Sequence, residues 1–537
     1  MIRRPTPSIA CLALLALPLL AAAQSAAIPR EIATPPRVET SIGTLEFNDG
    51  APSVATAEKV RDALDFNNAL AVYNNSFRGA SAYALGKGFR SIGAEDNAVV
   101  IFSELMDAKS LFLTANADTV YYMSLVDLTQ GPMVIEQPPM GLGTINDMWF
   151  SWVVDVGFPG SDRGAGGKYL IVPPGYDGPL PDGGYFVAKA RTNHVLYATR
   201  ANLVNNDPKP AVENIKKHLK IYPYKPGGFG TSIATALEGK VRLAGNPPVP
   251  ETKFVEASGK VFNTVPPSDV GFFEMINENV QQEPATSYDV ELSGQLAAIG
   301  IVKGKPFKPD ARMKKILADA AAVGNAAGRV LNWRYVASHP DWAVYPGSMW
   351  GNMLWEGGAN FETPPPQFKD GMFKPLPPTG ARTLDSRTAF YYGYTLDSPG
   401  MIMRIPDVGS QYLMGFLDAA GNPYDGAKTY KVTLPKGIPA RAFWSFTVYD
   451  NQSRSMLDTP QRYPRAGSQS YPSPAAEANA DGSTTIYFGP TQPSGVKRGN
   501  WIQTVPGKGW FTILRLYSPL PSFFDKSWRP SEIALAG

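Results

Sequence analysis

The chain is poor in the residues that most often do chemistry. Its 537 residues include one cysteine, Cys11, and three histidines, His194, His218 and His339. A lone cysteine closes no disulfide within the chain, so the fold must be held by packing. The histidines are far apart and show no H-x-x-x-H or H-x-x-E-H spacing, so no metal site is expected from them. His218, beside Lys216 and Lys217, reads as part of a solvated helix face. Charged residues make up only 18% and the net charge is +3. Without a clustered Lys/Arg face or a known motif, nucleic acid is excluded as a partner. There is no G-x-S-x-G elbow of a serine hydrolase. Gly164, Gly166 and Gly167 lack the strand before and helix after that a phosphate loop needs, and they read as a hairpin turn. No cofactor is expected. The apolar run at residues 9–20 is too short to cross a bilayer.

What is present is a large stock of apolar and turn-forming residues. Hydrophobic types reach 44%, with Gly 51 and Pro 50, a balance that favours many short strands and turns. The length calls for more than one domain. Arg3 and Arg4, the run at 9–20 and Ala21-Ala22-Ala23 before Gln24 have the layout of an export signal, so residues 1–23 are read as a leader and the mature chain as periplasmic or secreted. Cys11 precedes most of the apolar run, which argues against lipid anchoring.

Residues 24–95 read as an arm followed by a helix, with Val60, Leu64, Ala71 and Phe77 at helical spacing and Gly79, Gly86 and Gly88 marking its fraying and end. Short apolar runs at 98–102, 120–127, 132–136, 148–155, 168–172, 185–189 and 195–198 predict a β-sandwich over 96–205. Helical spacing returns within 206–378, at 208–219, 269–280, 289–299 and 310–335, with Asp269 and Asp310 as N-caps. A Trp-rich stretch at 342–355 and a Pro-rich one at 364–378 follow, the latter a linker or an ordered arm. Strands resume over 379–537. Ala442, Trp444, Phe446 and Val448 alternate with Ser445, Thr447 and Tyr449, which places Trp444 and Phe446 inward and Ser445 on the opposite face. The fold class expected is mainly β with a helical middle.

The chain centres on residues 114–131, where a loop of short polar residues, Asn116, Asp118 and Thr119, runs into a strand rich in aromatic and β-branched types. Polar groups at such a junction are presented on a rigid edge. The same residues also suit an Asx turn that starts the strand.

Asn116-Ala117-Asp118-Thr119-Val120-Tyr121, Leu128-Thr129-Gln130-Gly131-Pro132, Trp152, Asp155, Arg163, Gly167-Lys168-Tyr169 and Pro173-Pro174-Gly175 follow one another in an order that resembles DUF1254 proteins. Arg387, Tyr391, Tyr392, Phe443-Trp444-Ser445, Tyr449-Asp450, Asp481-Gly482-Ser483, Asn500-Trp501 and Arg515-Leu516-Tyr517 resemble its partner domain, DUF1214. The resemblance implies an N-terminal immunoglobulin-like small sandwich, a helical middle, a C-terminal jelly roll and a homo-oligomer. It implies no activity. Val120 departs from the Leu more usual in the family, a swap the strand tolerates.

Carboxylates and aromatics remain for a site. Asp118, Asp155 and Asp450 are the candidate catalytic acids; Asn116, Tyr121, Trp152, Arg163, Tyr449 and Trp501 are the candidate binding residues. Carboxylates beside aromatic platforms suit a sugar, whose apolar face stacks on rings while paired acids handle the glycosidic oxygen. Each of these residues alone is as well explained by a turn, a strand cap or a core. Two readings stand: an exported hydrolase of a glycan or glycoconjugate with an inter-domain cleft, or a carbohydrate- or small-molecule-binding or assembly module. Asp118 and Arg163 are expected to pair, either locking two loops or flooring a pocket.

Overall fold

The computed structural model describes residues 1, 28–352, 361, 367–369, 372–374, 382–402 and 404–537. The expected leader, and most of the Pro-rich stretch, lie outside these residues. The chain is mixed α/β and divides into two compact units, Met1–Leu64 and Asp65–Gly537.

In the first unit, strands Arg37–Thr40 and Gly43–Asn48 pair antiparallel with Arg37 opposite Glu46. Phe47 of the second faces Pro52 of a short third strand. The Thr56 hydroxyl accepts the Glu46 N–H at 2.8 Å.

The long helix Val54–Ser91, whose residues from Asp65 on belong to the larger unit, does not fray at its glycines. Ala69, Val72, Tyr73, Phe77 and Ala80 recur at three- and four-residue intervals and are buried. A Cβ on Gly79 would lie 2.6 Å from the Trp149 ring, and one on Gly86 would lie 2.8 Å from Leu125. These glycines set how closely the helix approaches the sheet. They do not end it, and the close packing offsets their poor helix propensity.

Two sheets form the N-terminal β-rich half. The larger runs Phe254–Glu256, Val99–Ile101, Thr119–Asp127, His194–Asn202, Gly141–Asp147 and Trp152–Gly157; the smaller runs Phe186–Lys189, Gly167–Val172, Met133–Gln137 and Lys220–Pro223. Sheet structure therefore extends past residue 205, the boundary expected from composition. Val120, Tyr122 and Val126 point into a core shared with Ile135, Tyr169 and Ile171 of the smaller sheet. Met123 and Leu125, on the opposite face, join a second core with the long helix and with Gly271–Gln282. Thr119–Asp127 is thus buried on both sides.

The helices Gly271–Gln282, Val290–Ala298 and Ala311–Trp333 lie where the apolar spacing places them, and Asp310 caps the last by accepting the Met313 N–H at 2.7 Å. Asp269 stands one residue before the N-cap, Val270, and accepts from Gly271 N–H. The C-terminal half again has two sheets. One orders Trp350–Gly351, Ser410–Gly415, Gly509–Pro519, Ala440–Asp450 and Arg465–Gly467; the other orders Trp501–Gln503, Thr484–Gly489, Tyr430–Leu434 and Ala534–Leu535. Trp444, Phe446 and Val448 enter their shared core with Phe488 and Trp510. Ser445 is not on an open face, however: it is fully buried, because the outward side of its sheet is covered by the N-terminal half. None of these sheets closes into a barrel. Among the described residues no helix is long and apolar enough to cross a membrane.

Candidate functional site

The polar loop before Thr119–Asp127 meets the covered face of the C-terminal sheet. Antiparallel register puts Ser445 opposite Arg515 and Phe443 opposite Tyr517, while Tyr412 and Ser410 face Arg515 and Tyr517 from the neighbouring strand. This layer of polar side chains on the sheet receives the loop. Asp118, with no exposed surface, accepts from Arg465 Nε at 2.5 Å, from the Ser445 hydroxyl at 2.5 Å and from the Tyr517 hydroxyl at 3.0 Å. Asn116 closes an Asx turn by accepting the Asp118 N–H at 2.7 Å, and its amide donates to Tyr517 at 2.6 Å. Arg515 donates to the Thr114 carbonyl at 3.0 Å, and the Tyr449 hydroxyl donates to that of Ala115 at 2.7 Å. Burial alone would raise the Asp118 carboxyl; the guanidinium groups of Arg465 and Arg515 and the Ser445 hydroxyl hold it below its ordinary value. The site and Asx-turn readings of this loop meet here: the turn is made, and its carboxylate is spent on a clamp between the two halves.

Beside the clamp lies a pocket with about 830 Å³ of non-atom space, part of it open to solvent. Met106, Phe112, Leu142 and Met401 supply apolar walls, and Asn116, Tyr121, Arg200, Tyr394, Ser410 and Tyr412 gather at a polar end. Arg200 lies opposite Tyr121 on the adjacent strand. It donates to the Ser410 hydroxyl at 3.1 Å, which in turn is 2.7 Å from the Tyr412 hydroxyl. The Arg200 guanidinium sits 5.4 Å from the Tyr517 ring centre. Burial pushes the Tyr412 phenol up, but Arg200, the Ser410 hydrogen bond and Arg515 outweigh it and bring the phenol below its ordinary value.

The expected site residues separate on this geometry. Asn116 and Tyr121 line the pocket. Asp118 lies behind Asn116 and is sealed. Asp155 is buried at the pocket margin, where its Oδ2 accepts the N–H of Gly400, a pocket residue, at 2.9 Å. Burial, with only neutral donors around it, raises this carboxyl. Asp450 caps a turn through Gln452 and Ser453 N–H groups and pairs with Lys508 at 3.2 Å, so it is not part of this pocket. Arg163 does not pair with Asp118. It stands exposed with φ 48° in a turn that Asp162 holds, by accepting from Gly157 N–H and the Tyr169 hydroxyl. Asp118 takes Arg465 instead, because the C-terminal sheet packs over this loop and brings Arg465, Ser445 and Tyr517 to its carboxylate. Tyr449 and Trp501 are not sugar platforms: both are buried, and the Trp501 indole donates to the Gly489 carbonyl at 2.9 Å. Trp152 is 44% exposed at the start of its strand and does not line this pocket.

Sequence reasoning missed Arg200, Tyr412, Arg465 and the role of Ser445. The available signal was a charged residue inside an apolar strand, as in Ile513-Leu514-Arg515-Leu516. A buried arginine needs a partner, and nothing near it in sequence supplies one.

A family model described as a protein of unknown function, DUF1254, matches residues 97–223, and another so described, DUF1214, matches residues 409–521. Both models are present in one chain, which matches the paired DUF1254 and DUF1214 arrangement, and the Asp118 clamp joins the two matched spans. No curated protein matches it. Among solved structures, the VPA0106 protein of Vibrio parahaemolyticus is 17% identical over 88% of this chain and 100% of that one, with a TM-score of 0.48. A protein from Burkholderia cenocepacia is 10% identical over 88% of this chain and 96% of that one, with a TM-score of 0.34.

Proposed function

We propose that the protein binds a small molecule in the pocket between its β-rich halves, with an apolar body against Met106, Phe112 and Met401 and an anionic, oxygen-bearing head at Arg200 and Tyr412. The observation that carries this reading is one cationic side chain, Arg200, at the polar end of a pocket with apolar walls. Among the described residues no carboxylate pairs with Arg200, which donates to the Ser410 hydroxyl and lies among Tyr121, Tyr412, Tyr517 and Tyr394, none of which neutralises it while protonated. A carboxylate there meets a guanidinium and hydroxyls at once, the kind of convergent polar group that fixes a ligand in an apolar cavity.

Asp155 favours a second reading, hydrolysis in the same pocket. Its carboxyl is held toward the protonated form beside a pocket residue, as a general acid requires. A glycosidase needs a second carboxylate about 5–10 Å away, and neither Asp118 nor Asp450 is available for that part, so an ester fits this reading better than a glycan.

The test is thermal stabilisation of the parent and of Arg200→Gln by aliphatic and aromatic carboxylates, their neutral amides, oligosaccharides and small esters, with product release followed for the last two. Carboxylates should raise the parent's melting temperature and leave the variant's unchanged. Stabilisation by oligosaccharides alone, or by nothing in the panel, would defeat the proposal. We further propose that the chain is exported and self-associates; a mature mass beginning at Gln24 and sedimentation of the exported protein test these two points.

A further inference from the structure

The far end of the Thr119–Asp127 strand carries a second constellation. Asp127 lies eight residues, about 27 Å of extended strand, beyond Thr119, well away from the pocket. His194 pairs across the sheet with Asp127. Its Nδ1 is 2.7 Å from Oε1 of Glu283, a side chain with no exposure. A carboxylate only accepts, so Nδ1 carries a hydrogen, and in the neutral ring Nε2 then presents its lone pair. That nitrogen, on a residue 9% exposed, has no hydrogen-bond partner among the described residues. It faces Asp127 Oδ1 at 3.7 Å and Asp96 Oδ2 at 4.0 Å.

We propose that Asp96, Asp127 and His194 hold a divalent first-row metal ion, zinc being the best match. Both oxygens are too far for a hydrogen bond from Nε2. Ligand atoms about 2.0–2.1 Å from a tetrahedral zinc stand about 3.4 Å apart, and the three atoms here all lie within 4.8 Å of one another, so small side-chain rotations complete the shell. One imidazole with two carboxylates suits zinc better than magnesium or calcium, which take oxygen.

Each proposed ligand residue is also oriented by a neighbouring group, as metal ligands are. Glu283 orients His194, and Arg90 grips Asp96 through Nε and Nη2, both at 3.0 Å. The Thr129 N–H donates to Asp127 Oδ1 at 2.8 Å. Asp96, Asp127 and Glu283 gather around the imidazole and only Asp96 is paired with a guanidinium, that of Arg90, which leaves an excess of negative charge around a neutral ring that a dication neutralises. The same charges raise the imidazole's pKa against its burial, so a proton is the competitor. Both aspartates are 27% exposed, and water can take the fourth position.

The experiment is titration of the chelator-treated full chain with zinc chloride and, separately, with cobalt(II), whose visible absorption reports tetrahedral coordination. One ion per chain, an intense cobalt band and a raised melting temperature are expected. Glu283→Gln should weaken zinc by about 10–100-fold. Asp127→Asn, at a part-exposed position where folding is least at risk, and His194→Gln should abolish the cobalt band. No stoichiometric binding to the parent, or binding that survives in both ligand variants, would overturn the site and leave an imidazolium among carboxylates.

Discussion

Asp118 and Arg465, 347 residues apart, meet at 2.5 Å with neither side chain exposed. One comes from the loop that starts a central strand of the N-terminal half, the other from the last strand of a C-terminal sheet. Their pairing fixes how the two matched domains dock. Arg465 is further held by the Ser473 hydroxyl at 3.2 Å and the Gln469 side chain at 3.3 Å, so the ion pair is satisfied on both sides.

Breaking one side of such a pair is costly, because the remaining charge stays buried. Asp118→Asn is expected to destabilise the protein by about 3–5 kcal/mol. Ser445→Ala, which removes one donor to the carboxylate, should cost about 1–3 kcal/mol. Asp118→Asn together with Arg465→Met should recover part of the single-variant loss. Denaturant midpoints of the three variants check this, and a double variant less stable than Asp118→Asn would mean that the pair is not a coupled unit.

The two buried aspartates should titrate with opposite sign. Asp118 has a lowered carboxyl pKa in the fold, so its stabilisation is present above the unfolded value and is lost as pH falls through the folded one. Asp155 has a raised pKa, so its contribution is present below the unfolded value and is lost as pH rises through the folded one. Asp155→Asn should therefore be neutral or stabilising at pH 7 and should remove the loss of stability seen in the parent as pH rises above the ordinary carboxylate range. A marked loss of stability in Asp155→Asn at pH 7 would reverse that assignment.

Gly79 offers a test of the helix packing. Alanine has the better helix propensity by about 1 kcal/mol, yet here its methyl meets the Trp149 ring. Overpacking of this kind costs about 1–3 kcal/mol, so Gly79→Ala should lower the melting temperature while Gly294→Ala, with open space around it, should raise it. If Gly79→Ala is the more stable of the two, the close approach is not a constraint.

These contacts explain what could and could not be read in the residues. Period-two and helical spacing located most strands and the main helices, because burial on one face leaves a trace in each segment. Gly141–Asp147 left little: Gly143 is there to let Thr199 and the Ala198 carbonyl approach, at 2.2 and 2.4 Å from a notional Cβ. The stretch 148–155, read as one strand, contains a turn in which Asp147 accepts from Trp149 and Ser151 N–H groups. The site was harder still. Asn116 and Asp118 were visible as a polar junction, but the partner of Asp118 is set by docking of one half on the other, which no local pattern encodes. Arg163 was nearer in sequence and of the right charge, and it faces water.

The polar end of the pocket gives the last expectation. A tyrosine ordinarily loses its proton near 10, and burial drives the other tyrosines of this cluster, Tyr121, Tyr394 and Tyr517, higher. Tyr412 goes the other way, because burial is outweighed first by Arg200 and then by the Ser410 hydroxyl and Arg515. Ultraviolet titration of the folded protein should therefore show one phenolate forming below the ordinary value, and Tyr412→Phe should remove it. Arg200→Gln should move it upward with the fold intact, since the dominant cation facing it is gone. An anionic ligand bound at Arg200 would compensate the same charge and should shift the phenol in the same direction, so the titration also reports occupancy of the pocket. If no tyrosine titrates early, or if Arg200→Gln leaves the early one where it was, Arg200 is not what sets the electrostatics of this pocket.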